Sequence, residues 1–85
     1  MMNHIRQYGK KWCVEYDSVW TGIGCRFTAW ITNRQSAATV EVHHIGPNGI
    51  LASSWPAWFL VPAYLQRIIS RRLFTDAARR IKHAV

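Results

Sequence analysis

From Trp12 the chain alternates strictly, with Trp12, Val14 and Tyr16 on one side of an extended segment and Cys13, Glu15 and Asp17 on the other. A period of two is that of a half-buried strand. The pattern returns from Cys25 to Thr32, where Cys25, Phe27, Ala29 and Ile31 share one face and Arg26, Thr28, Trp30 and Thr32 the other. It returns once more where Val40, Val42 and His44 alternate with Thr39, Glu41 and His43. Thr21-Gly22 and the polar stretch Asn33-Arg34-Gln35-Ser36 supply turn chemistry between the segments. The expectation is a three-stranded antiparallel meander over residues 12–45.

The turns predict a register. A two-residue turn at Thr21-Gly22 sets Tyr16 opposite Phe27 and Val14 opposite Ala29; one at Arg34-Gln35 sets Phe27 opposite Val42 and Ala29 opposite Val40. One face is then wholly apolar. The reverse face carries rows of Asp17, Arg26 and His43, of Glu15, Thr28 and Glu41, and of Cys13, Trp30 and Thr39. Gly46-Pro47-Asn48-Gly49 has turn composition and ends the sheet, and Ile50-Leu51-Ala52 fits either a short fourth strand or an extended connection.

Beyond Ser53 the periodicity changes. Leu65, Ile69 and Leu73 recur every fourth residue, the spacing of an apolar helical stripe. Pro62 interrupts any helix begun at Ser53 or Ser54, so a short turn over Trp55–Leu60 precedes a longer helix from Pro62. Thr75-Asp76 can cap a restart, and an unbroken helix would bring Arg80 into the stripe, so a second break is expected near Thr75. The fold class is therefore α+β: a meander covered on one face by a C-terminal helical segment, residues 53–85, broken near Pro62 and Thr75. Residues 1–11 show neither period and read as a basic arm.

Length and composition sharpen this. Eighty-five residues, 49% of them hydrophobic, make one domain with a single small core. Eleven Lys and Arg against four Asp and Glu give a formal charge of +7, which points to an anionic partner. Six of the basic residues, Arg67, Arg71, Arg72, Arg79, Arg80 and Lys82, fall in the helical segment, and Arg6, Lys10 and Lys11 in the arm. Guanidinium forks suit phosphate oxygens, so these nine are the candidate nucleic-acid contacts. Trp30 is a candidate contact to a protein partner; Trp55 and Trp58 read first as core packed against Trp12, Tyr16 and Phe27, next as contacts to a protein partner, since Trp dominates many interfaces, and last as a membrane-surface anchor.

Other chemistry is poorly served. Cys13 and Cys25 lack a Cys-x-x-Cys spacing and read as reduced core thiols; His44 is the inferred partner of Cys25, but two ligands make neither a zinc site nor a catalytic pair. No metal, cofactor, small-molecule substrate or catalytic residue is expected. The N-terminus has no apolar signal region, and the longest apolar run, residues 50–65, holds 16 residues with two prolines, short of the ~20 of a membrane span. A cytoplasmic protein away from membranes is expected.

The layout, three antiparallel strands backed by a helix, is similar at fold level to the β-β-β-α modules of some DNA-binding proteins, including integrase arm-binding domains. Those modules read DNA with the outer sheet face, which in this sequence carries Glu15, Asp17 and Glu41. The functional expectation is a non-enzymatic accessory protein that binds double-stranded DNA through backbone phosphates and assists a larger DNA-bound regulator, in the manner of a corepressor. The alternatives are a mobile-element-type inhibitor or adaptor that blocks a host or regulatory protein, and an RNA-binding module.

Overall fold

The computed structural model describes residues 4–45 and 49–84, with side chains at 5–45 and 49–79. Five strands follow in sequence, β1 (His4–Tyr8), β2 (Trp12–Trp20), β3 (Cys25–Asn33), β4 (Thr39–Ile45) and β5 (Gly49–Ala52), before α1 (Trp55–Phe59) and α2 (Ala63–Ala84). All neighbours pair antiparallel in the order β1-β2-β3-β4-β5. The architecture is α+β as expected, with five strands in place of three. The arm is itself a strand: His4 to Tyr8 pair with Tyr16 to Trp12, held by backbone hydrogen bonds that need no apolar pattern. The Gly46-Pro47-Asn48 part of the expected turn lies outside the described residues.

Both expected registers are off by two residues, for one reason. Trp20 pairs with Cys25, so β2 and β3 are joined by the four residues 21–24 rather than by a two-residue turn. Thr21 closes this loop twice, its amide and its hydroxyl each donating to the Gly24 carbonyl at 2.9 Å, while Gly22 takes a φ of +92°. The β3–β4 connection, residues 34–38, is likewise longer than a two-residue turn: the Asn33 amide donates to the Ala38 carbonyl (2.9 Å), leaving residues 34–37 to make the turn, and the Asn33 side chain accepts from the Gln35 amide (2.9 Å). Ala37 sits there at a φ of +62°, in the left-handed region. Tyr16 therefore faces Ala29, Val14 faces Ile31, Ala29 faces Val42 and Ile31 faces Val40. A shift of two preserves every side chain's face, because the strand period is two.

The face assignment consequently holds. Val14, Ala29, Ile31, Val40 and Val42 are buried on the side covered by Leu65, Ile69 and Leu73, and Phe27 is half-buried at its margin. Burying each of these three large helix side chains contributes roughly 1.5–3 kcal/mol, so the stripe is the main cohesive element between helix and sheet. Trp58 and Val61 close one end of the core, and Ala77 carries the stripe a turn beyond Leu73.

The break at Pro62 is present: α1 is capped by the Ser54 hydroxyl, which accepts from the Ala57 amide at 3.3 Å, and the Pro62 carbonyl accepts the first amides of α2 from Leu65 and Gln66. The break at Thr75 is absent, and α2 runs through it to Ala84. Asp76, expected to cap a restart, instead accepts from Arg72 Nε at 3.0 Å one turn earlier and so stabilises the continuous helix. The side chain of Arg80, which motivated the expected bend, lies outside the described residues.

A proline at position 75 separates the two arrangements. In the continuous helix Thr75→Pro removes a hydrogen bond and clashes with the preceding turn, costing about 3 kcal/mol or more against a near-neutral Thr75→Ala, measured by urea unfolding. A Thr75→Pro loss below about 1 kcal/mol would mean that the helix is interrupted there.

Candidate nucleic-acid interface

Because Leu65, Ile69, Leu73 and Ala77 face the sheet, the 3.6-residue period places Tyr64, Arg67, Ile68, Arg71 and Thr75 on the opposite side of α2. Together with Arg72 these side chains border an open hollow on the outward helix surface. Arg67, Arg71 and Arg79 are exposed, and among the described residues none is held in an ion pair. Arg67 to Arg79 spans twelve residues, about 18 Å of helix. The helix thus offers two free guanidinium groups, Arg67 and Arg71, on its outward side, and a third, Arg79, farther along and turned toward the Arg72 margin.

Arg72 is different. It is half-buried, bonded to Asp76, and its guanidinium lies 4.7 Å from the centre of the Tyr16 ring. These engagements make it a structural cation at the margin of the basic face rather than a free phosphate ligand. Tyr16 is almost fully buried and its hydroxyl lies 3.2 Å from that of Tyr8. Burial, then the bond to Tyr8, holds the Tyr16 phenol well above the usual tyrosine range, against the opposing pull of Arg72 and Arg6. Arg6 projects from the helix-covered side of β1 opposite Val14, and its field reaches the same phenol. Arg6 and Arg72 therefore border one site although they stand 66 positions apart in sequence.

Lys10 and Lys11 occupy the β1–β2 turn at one end of the sheet, both exposed. The meander brings the β3–β4 loop to the same end, where the Arg34 amide donates to the Lys11 carbonyl (2.7 Å) and the Arg34 guanidinium donates to Gln7 Oε1 (2.8 Å). Sequence reasoning passed over Arg34; strand order alone, which returns alternate loops to one end, could have found it. The side chains of Arg80 and Lys82 lie outside the described residues.

The Trp candidates separate clearly. Trp58 is buried in the core and packs there, so it is no surface contact. Trp55 is exposed and stacks on Phe59, with ring centres 6.0 Å apart and planes at 29°. Trp30 is half-buried on the uncovered sheet face, and the two-residue register shift places it directly between Glu15 and Glu41 rather than beside Cys13 and Thr39. Asp17, Thr28 and His43 form the adjoining row, and His43 Nδ1 approaches Glu41 Oε1 at 3.5 Å. Three of the four acidic residues thus lie on the sheet face away from α2, and the fourth, Asp76, is paired.

Cys13 and Cys25 are free, half-buried, and on opposite sheet faces. His44 does not face Cys25: its ladder partner is Ile50, its ring meets Phe74 edge-on at 5.4 Å, and Cys25 pairs with Trp20. Among the described residues no three His, Cys, Asp or Glu side chains converge on a metal position. No helix among them is long and apolar enough to cross a membrane. Comparison with protein-family models, curated proteins and solved structures returned no match to this chain.

The Tyr16 environment has a signed pH consequence. The phenol is protonated in both states below its unfolded pKa of ~10, so its contribution to stability is full there. Above pH ~10 the unfolded state alone ionises, and stability falls as pH rises. Unfolding free energy measured from pH 8 to 11 should drop more steeply in the native protein than in Tyr16→Phe; parallel profiles would show that the phenol is not held protonated.

Proposed function

We propose that this chain is a small, non-enzymatic, nucleic-acid-binding accessory protein whose outward α2 face engages backbone phosphates. The observation that carries the reading is the uneven distribution of charge: Arg67, Arg71 and Arg79 stand exposed on α2, while on the opposite face of the sheet Glu15, Asp17 and Glu41 outnumber the half-buried Arg26. An anionic chain is attracted to one side and repelled from the other. Arg6 extends the basic margin along β1, and Lys10, Lys11 and Arg34 add a second basic cluster at the hairpin end.

Contacts of this kind fix position without reading sequence, since phosphates carry no base identity. Selectivity then comes from a protein partner, and the corepressor-like assistance of a larger DNA-bound regulator remains the best fit. The acidic sheet face with Trp30 at its centre suits a basic protein surface. Contact there leaves α2 open to the nucleic acid.

Substitution of one arginine tests the phosphate role. Arg71→Ala should weaken binding to all duplex sequences alike and lower the slope of log affinity against log salt by about 0.9 for duplex DNA, since one fewer counterion is released. Unchanged affinity and slope, measured by fluorescence anisotropy at several salt concentrations, would remove α2 as the phosphate-binding face.

A further inference from the structure

We infer that the nucleic acid on α2 is single-stranded, its bases stacking on the exposed rings of the α1–α2 corner while Arg67 and Arg71 hold its phosphates. This rests on the phosphate-binding reading above and extends it to the form of the ligand. Phe59 is 70% exposed, Tyr64 53% and Trp55 41%, so the chain between α1 and the first turn of α2 leaves three aromatic rings accessible to solvent. Trp55 and Phe59 already lie side by side, their planes tilted by 29°, as a ring pair that a base could extend. Tyr64 lies one turn before Arg67 and Ile68 and borders the same hollow as Arg67 and Arg71.

A duplex can engage the arginines of this surface but makes no use of its rings. Its bases are already stacked on one another and present only edges in the grooves, so exposed ring faces gain nothing from it. An unpaired strand presents flat apolar bases and anionic phosphates by turns, and a basic surface with interleaved aromatic rings answers both. A purely apolar partner, whether a lipid bilayer or a protein groove, fits less well. Arg67 and Arg71 lie among Tyr64 and Ile68 on one helix face rather than around its edge, so covering the apolar groups would strip water from two guanidinium groups as well. The nearest acid on α2, Asp76, is occupied by Arg72 and does not offset their charge.

The test compares a labelled oligothymidylate of about 16 nucleotides, the matching oligouridylate and a duplex of the same length, by anisotropy at one salt concentration. Tyr64→Leu and Phe59→Leu are the informative variants, because leucine keeps an apolar side chain and removes only the ring. Both positions are more than half exposed, and circular dichroism melts establish that the variants fold. The unpaired strands should bind about tenfold tighter than the duplex, and each variant should lose about fivefold or more of that affinity with duplex binding unchanged. A preference for uridylate or thymidylate separates RNA from DNA, and either supports stacking. Equal binding of duplex and single strand, or leucine variants that bind single strands like the native protein, would overturn the inference while leaving the phosphate reading intact if Arg71→Ala still weakens binding. Phosphatidylserine vesicles bound equally by native and leucine proteins, with no strand preference, would reassign the corner to apolar docking. Failure of every nucleic acid to bind would remove both readings together.

Discussion

The burial of Leu65, Ile69 and Leu73 against Val14, Ala29, Ile31, Val40 and Val42 is the interaction on which the rest of the molecule depends. It commits one side of α2 to the sheet and, by the helical period, turns Tyr64, Arg67, Ile68 and Arg71 to solvent. It also decides which face of the sheet stays open. The side chains at Glu15, Trp30 and Glu41 are outward because their neighbours in each strand are needed for the core.

Charge segregation follows from that packing rather than from any special device. A helix layer on a sheet separates the acidic face from the outward arginines by on the order of 15 Å, from the ~10 Å spacing of packed layers and the helix radius. That exceeds the ~8 Å Debye length at physiological salt, so the acids across the sheet hardly weaken the field of the basic face. Local pairing is what could neutralise it. Asp76 is the sole acid in α2, and its bond goes to Arg72, which Tyr16 also holds. The helix surface therefore keeps its charge where it is most exposed.

The strand pattern was legible because alternation reports which face is buried, and that depends only on parity. Register was not, since loop length sets it and a four-residue loop closed by Thr21 reads much like a two-residue turn at Thr21-Gly22. β1 escaped notice because a five-residue edge strand, with Arg6 and Tyr8 on one face and Ile5 and Gln7 on the other, needs only backbone pairing to form. The continuous α2 escaped because Thr75-Asp76 carries cap chemistry, and nothing in the linear pattern shows that Asp76 is already engaged by Arg72. Among the candidate site residues, the arginines of α2 were legible from composition and period. The gathering of Arg34 with Lys10 and Lys11 was not, because it is made by strand order.

The claim at the centre of this account is that an anionic strand meets the helix side of the molecule and leaves the open sheet face untouched. Titration of isotope-labelled protein with oligothymidylate, followed through the indole N–H and arginine Nε–H resonances, reads both faces at once. The account predicts that Trp55, Arg67 and Arg71 shift with added strand while the Trp30 indole between Glu15 and Glu41 holds its position. Displacement of the Trp30 signal with α2 unmoved would contradict it.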